Sequence, residues 1–363
     1  VTVARRTEQH AGDLGGSGRP TGTRGPREIW CVGHAITDCL SEVGEDVIEE
    51  LDLPRGAMTL IDAAGVDALE ARLVGYTTIS GGSAANTAVG AAAAGARVGF
   101  VGSVADDLLG VAYRSDLERA GVACRLSVVP GRQSEPGSSG LRSWRGSQTQ
   151  VTGRCYVLVS ADGERTMATH LGVAGAIDPG AIDPEEIARS KVVYLEGYLL
   201  DAAAAEGAVA TILDAVAASP TTTLALSLSD PFVVTRHRDR IAALVADSVG
   251  LLFANEAELC ELTGSSRLGD ALSAVWHPGL VAAITRGADG VVIGQGSSHR
   301  LEVGELPAQA VDRVVDTTGA GDLFAAGMLA GLVTGLDPLE SARLGTKAAA
   351  EVISHLGARP APR

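Results

Sequence analysis

The residues best suited to chemistry lie at 314–328, Val-Val-Asp-Thr-Thr-Gly-Ala-Gly-Asp-Leu-Phe-Ala-Ala-Gly-Met. A β-like run ends at Asp316, a turn made of Gly319, Ala320 and Gly321 follows, and Asp322 opens an apolar helix. The glycines let successive backbone N–H groups converge, and the positive end of the helix dipole adds to them, so the turn reads as an anion hole. A carboxylate at the same helix start sets a proton acceptor beside the bound anion. Phosphoryl transfer to a hydroxyl needs both. The plainer alternative is a strand–turn–helix junction in which Asp322 is a favourable first-turn acid. The length of the string, set late in a chain of alternating strands and helices, argues against that alternative.

Three shorter stretches carry polar groups at suggestive spacings. Ser80-Gly81-Gly82-Ser83-Ala84-Ala85-Asn86 opens a small-residue helix, where the glycines admit close backbone approach and Asn86 offers an amide; Ser83 as a simple N-cap is the plainer reading. Gly33-His34-Ala35-Ile36-Thr37-Asp38 leaves a strand, and a carboxylate such as Asp38 suits a vicinal diol. Asn255 and Glu258 are three apart, which is also the spacing of a helix capping box.

Together and in this order, these segments resemble the ribokinase or PfkB family of carbohydrate and nucleoside kinases, from about residue 28 to 362. Segments such as VVYLEGYL, LSDPFVVTRHRD and LFANEAEL resemble its bacterial adenosine kinase-like branch. The resemblance implies Asp322 as catalytic base, with Gly319, Ala320 and Gly321 as the anion hole. It implies acceptor contacts from Asp38, Gly81, Gly82, Asn86 and His34, the last standing where such kinases often have asparagine. Asn255, Glu258, Thr285, Gly287 and Thr318 would face ATP, with Glu258 positioning magnesium through water. Asp316 and the region of Gly357 would form a monovalent-cation site, for K⁺. The implied cofactors are therefore ATP, Mg²⁺ and K⁺.

The elements that must hold these groups alternate between strand-like and helix-like. Strand candidates lie at 28–36, 97–104, 191–197, 223–229, 249–254, 280–285 and 290–294, with helices at 87–95, 109–120, 203–217, 236–247 and 256–263. Two more helices are expected at 320–334 and 338–355, separated by Gly335 and capped by Asp337 before Pro338. This rhythm predicts an α/β class, a ribokinase-like three-layer α/β/α sandwich on a mostly parallel sheet. Residues 38–80 and 122–171 break the rhythm and are assigned to a small β-sheet lid. A Pro/Gly/Ser-rich segment at 130–150 lies within the second of them, and 1–27 reads as a disordered or appended extension.

Composition narrows the partners. A formal net charge of −15 across 363 residues disfavours nucleic acid and anionic membranes, while a small anion remains manageable by local N–H groups and arginines. Five scattered cysteines without a C-x-x-C pair argue against a disulfide framework or zinc site, and for a reduced, cytoplasmic protein. No apolar run reaches the ~20 residues a bilayer requires. Neither a P-loop nor a dinucleotide fingerprint is present, which disfavours a dehydrogenase. The expectation is an ATP-dependent kinase acting on a small-molecule acceptor. Adenosine is the first choice of acceptor, with a sugar as rival and a non-catalytic binder behind. It would be a monomer or a homodimer, and Tyr198, Phe232 and Tyr156 are candidates to wall a purine.

Overall fold

The computed structural model describes residues 25–130, 150–161, 164–297 and 300–361. Residues 1–24 of the expected extension and 131–149 of the Pro/Gly/Ser-rich segment lie outside them. A nine-stranded sheet runs in the order β14 (Arg300–Leu306), β13 (Val291–Ser297), β12 (Val281–Thr285), β11 (Val249–Asn255), β10 (Thr223–Ser227), β9 (Val192–Glu196), β1 (Ile29–Val32), β5 (Val98–Ala105) and β6 (Ala123–Val129). Its pairings are parallel from β12 to β6, and antiparallel where β13 and β14 extend the other edge.

Period-2 alternation sorts the central strands onto two helical layers. Trp30, Val32, Val193, Leu195, Leu224 and Leu226 face one layer. It is built from α5 (Pro184–Ala188), α6 (Glu206–Ala217), α7 (Pro231–Asp247), α8 (Glu256–Thr263) and α9 (Leu268–Val275). Ile29, Cys31, Tyr194, Ala225, Leu251 and Phe253 face the other layer, which holds α3 (Ser83–Ala93), α4 (Leu108–Arg119), α10 (Ala320–Val333) and α11 (Pro338–Val352). This is the expected three-layer sandwich.

A second sheet of five strands, β3 (Met58–Leu60), β8 (Arg165–His170), β7 (Gly153–Val159), β2 (Ile36–Glu42) and β4 (Thr77–Ser80), stands over the carboxyl ends of the main strands. Its outer face packs Cys39, Tyr156, Leu158 and Ala168 against α1 (Glu45–Glu50) and α2 (Ala63–Glu70). The expected first strand at 28–36 is thus two strands in different sheets. Gly33 is the joint between them, because a Cβ there would overlap the Glu196 carboxylate.

Three further expectations need correction. Of residues 122–171, assigned to the lid, 123–129 form β6, which pairs with β5 at the edge of the main sheet. The run at 314–316 is not a strand; it is coil leading into α10. The helix expected at 236–247 begins earlier, at Pro231, where Asp230 accepts from Phe232 N–H as N-cap.

α10 is buried almost all round, which a single amphipathic stripe cannot explain. Glycines let its neighbours close in. A Cβ at Gly327 would sit 2.6 Å from the Leu344 carbonyl oxygen, and one at Gly90 of α3 would sit 2.5 Å from Leu323 Cδ1. This crowding fixes the axis on which Asp322 is carried. Gly327→Val is expected to destabilise the fold by about 2 kcal/mol through overpacking and to lower the melting temperature by several degrees. An unchanged melt would show that the helix contact is looser than described.

Candidate functional site

Between the small sheet and the carboxyl ends of the main strands lies a cavity of about 950 Å³. That is the upper end of the usual size of small-molecule sites and roomy enough for two ligands. Asp322, the third residue of α10, reaches it half-buried. Ser83 Oγ donates to its Oδ1 at 2.7 Å, and Asn86 Nδ2 donates to Oδ2 at 3.1 Å. Burial pushes the carboxyl up to about 6, against the pull of these two hydrogen bonds, and the Glu196 charge adds to the rise. A carboxylate held near neutrality can take a proton at ordinary pH.

The turn ahead of it is built as its glycines suggest. Gly319 has φ of +78°, a conformation glycine adopts without steric cost. Gly321 lines the cavity, and a Cβ there would meet nothing within 4 Å, so the backbone is open to a ligand. Ala320 is the first residue of the helix, and its N–H donates to the Thr317 carbonyl oxygen at 3.2 Å, which closes the turn.

Asp38 enters the cavity from β2, on the inner face of the small sheet. Burial pushes it up to about 7, opposed by the charges of Arg359 and Arg165 and reinforced by Asp322. Gly81 follows β4 beside it, and a Cβ at Gly81 would overlap the Asp38 carboxylate. Gly82, at φ +91°, is the N-cap of α3, and a Cβ there would sit 2.4 Å from the His34 carbonyl oxygen. His34 is buried at the end of β1, and its Nδ1 lies 3.0 Å from Glu196 Oε1. The same carboxylate accepts from His34 N at 2.7 Å and from Ala84 N at 2.9 Å. Glu196 therefore joins β9, the β1–β2 joint and the start of α3.

The other half of the cavity holds Asn255, Glu258, Thr285 and Thr318. Asn255 and Glu258 do form the capping box of α8, with both reciprocal bonds present. Glu258 is 6% exposed, and burial pushes it up to about 7, with Asp230 adding to the rise. A buried carboxylate destabilised by a second one is a fitting outer partner for a hydrated divalent cation. Gly287 begins a short 3₁₀ turn after β12 and does not itself line the cavity.

Asp316 sits behind the turn, 5% exposed. Its Oδ1 accepts from Thr318 N at 3.0 Å, and its Oδ2 from Gly357 N at 2.8 Å. Arg165 of β8 places Nη2 at 2.8 Å from Oδ2, and its Nη1 donates to Thr318 Oγ1 at 3.1 Å. With a guanidinium already compensating this carboxylate, the Asp316 side chain does not fit as a ligand for a monovalent cation.

Reading the sequence missed Glu196, Arg165, Arg359 and Asp230. Arg359, from the C-terminal Gly-Ala-Arg, donates from Nε to Asn86 Oδ1 at 3.2 Å. Of the aromatic candidates, Tyr198 and Phe232 line the cavity, whereas Tyr156 points to the outer face and donates to Glu70 Oε1 at 2.5 Å. The inner face is instead aliphatic, with Leu40, Ile79, Val157 and Met167 toward the cavity.

Comparison with known proteins adds the following. A profile described as "pfkB family carbohydrate kinase" matches residues 57–136 and 142–363. An ATP-dependent ribose-1-phosphate kinase of Halopiger xanaduensis is 33% identical, covering 81% of this chain and 86% of that protein. A structure of adenosine kinase from Sinorhizobium meliloti superposes with a TM-score of 0.80 at 33% identity, covering 93% of this chain and 96% of the other. A probable sugar kinase from Rhizobium etli superposes at 0.79 and 33% identity, covering 92% and 95%.

Proposed function

Because the chain belongs to the pfkB family of carbohydrate kinases, phosphotransferases that act on hydroxyl groups of nucleosides or sugars, we propose that it phosphorylates adenosine to AMP. The observation that carries this reading is the pairing of two carboxylates in one cavity. Asp322 stands beside an open backbone turn, and Asp38 stands beneath a broad aliphatic wall.

In this reading ATP lies along Asn255, Thr285 and Thr318, with its γ-phosphoryl group at the N–H groups of Gly319, Ala320 and Gly321. Asp38 accepts the protons of a vicinal diol and so aims the primary hydroxyl at Asp322. Asp322 removes that hydroxyl proton as its oxygen bonds to the γ-phosphorus and the bond to the ADP oxygen breaks. The turn amides take up the charge on the equatorial oxygens. Arg165, reaching down from the small sheet and paired with Asp316, holds the Thr318 hydroxyl in place. Mg²⁺, held through water by Glu258, would neutralise phosphate charge when bound. No step is assigned to K⁺.

The aliphatic inner face of the small sheet, with Tyr198 opposite, favours a flat purine over a free sugar. A sugar kinase remains the second reading, favoured by the Rhizobium etli likeness. A binder without turnover is disfavoured by the two donors that hold Asp322 ready. The outer face of the small sheet is occupied by α1 and α2, which favours a monomer over a dimer joined through that face.

ADP release measured with adenosine, cytidine, ribose and fructose tests the reading. Preference for adenosine supports it; preference for ribose or fructose replaces the acceptor and keeps the chemistry. Asp38→Asn is expected to raise the acceptor KM by ~10- to 100-fold, the effect of losing hydrogen bonds to a charged group, with the KM for ATP little changed. Equal losses for both substrates would remove Asp38 from the acceptor site.

A further inference from the structure

After α11 the chain turns at Gly357, with φ of +96°, and runs back over the anion-hole turn. Gly357 N–H donates to Asp316, and Ala358 packs on Gly319. The next side chain, Arg359, enters the cavity.

Two observations single Arg359 out. The first is its contact with Asn86. That amide has a guanidinium on one side and the Asp322 carboxylate on the other. Only one orientation satisfies both, with Oδ1 accepting from Arg359 and Nδ2 donating to Asp322. Arg359 thereby holds Asn86 in the orientation that steadies Asp322. The second is Nη2 of the same guanidinium, which is buried without a hydrogen-bond partner among the described residues. A charged donor left unmet in a protein interior is costly, and such groups ask for an explanation.

Asp38 supplies one. Of the charges acting on Asp38, that of Arg359 is the largest, and both side chains line the cavity. An ionised carboxylate only accepts hydrogen bonds, whereas a hydroxyl donates one and accepts others. A hydroxyl that gives its proton to Asp38 still has lone pairs to satisfy, and the unmet N–H of Arg359 suits them.

We propose that Arg359 is a substrate-binding and positioning residue of the acceptor site: its Nε–H fixes Asn86 against Asp322, and its Nη2–H donates to an acceptor hydroxyl whose proton Asp38 accepts. The inference rests on the kinase reading above and deepens it. It assigns the site to acceptors that keep a hydroxylated ribose ring and sets it against their deoxy counterparts, which would leave both Asp38 and Arg359 unmatched.

The test compares wild type, Arg359→Met and Arg359→Lys on adenosine and on 2′,3′-dideoxyadenosine, which keeps the reacting 5′-hydroxyl. Wild type is expected to favour adenosine by 100-fold or more in kcat/KM. Arg359→Met should raise the adenosine KM at least tenfold, leave the KM for ATP within twofold, and lose most of the discrimination against the dideoxy acceptor. Arg359→Lys, which restores charge and a donor toward Asn86 without the planar fork whose second nitrogen reaches the acceptor, should recover kcat more fully than KM. Either of two results overturns the inference. One is unchanged adenosine KM and discrimination in Arg359→Met. The other is a uniform loss on both acceptors and ATP with a lowered melting temperature, which marks a structural role. If wild type phosphorylates only free sugars, ribose and 2-deoxyribose replace the nucleoside pair with the same expected outcomes. If it phosphorylates no acceptor at all, the kinase reading falls and takes this inference with it. Turnover with indifferent Arg359 variants defeats the inference alone.

Discussion

Asp322→Asn is expected to lower kcat by ~10³-fold, within the range of general-base contributions, while the KM for the acceptor changes little. The amide keeps the shape of the carboxylate but cannot take the hydroxyl proton. It also turns an NH₂ group toward either Ser83 or Asn86, both of which donate to Asp322 in the wild type. The turn amides remain, so residual activity above background is expected. The pH dependence follows from the same burial. Asp322 must be ionised to act, and it is pushed up to about 6, so kcat should fall as pH drops through that value. Asp38 is pushed up to about 7, and kcat/KM for the acceptor should fall from there and steepen below 6. Asp38→Asn should remove the upper limb only. The two shifts also bear on stability. A carboxylate in the unfolded chain titrates near 4, so their contribution is full below about 4 and is lost as pH rises through about 6 to 7. Retention of more than a tenth of wild-type kcat by Asp322→Asn would take the base role away from this residue.

What was legible in the sequence was what is written locally. The turn at 319–321 and the capping box of Asn255 and Glu258 each lie within a few residues, where spacing alone determines geometry. The alternation of central strands was legible for the same reason. Three of the missed residues act across the chain: Glu196 reaches His34 over 162 positions, Arg165 reaches Thr318 over 153, and Arg359 reaches Asn86 over 273. No local period marks such contacts. β6 was sorted into the wrong sheet because an edge strand is only partly covered. Its exposed and buried residues look like those of a small half-buried sheet, although its pairing with β5 is parallel. The first turn of α7 carried a readable signal in Asp230-Pro231, but the helix kinks at His237, where φ is −121° and ψ is 22°, and its apolar period breaks there.

Gly319→Ala against Gly321→Ala should separate the two duties of the turn. At Gly319 a side chain meets two obstacles. The φ of +78° is left-handed, costing an alanine about 1–2 kcal/mol. Its Cβ would also lie 2.6 Å from Ala358 Cβ and 2.7 Å from the Ala358 backbone. Relief requires the turn and the C-terminal segment to part. That movement pulls Gly357 from Asp316 and Arg359 from Asn86, the contacts through which the segment reaches the cavity. Gly319→Ala is therefore expected to lower kcat by ~10²-fold or more, the scale of losing an oxyanion donor, and to raise the KM of both substrates. Gly321 is different. Its added methyl would meet no protein atom within 4 Å, so the fold and melting temperature should be unchanged. The methyl would instead stand in the cavity where the γ-phosphoryl group is assigned, and the expected effect is a higher KM for ATP with the acceptor KM nearly untouched. Steady-state kinetics on the two variants decide the matter. Should Gly321→Ala leave the KM for ATP at the wild-type value, the phosphoryl group does not lie against this turn; should Gly319→Ala be silent, the C-terminal segment plays no part in ordering the site.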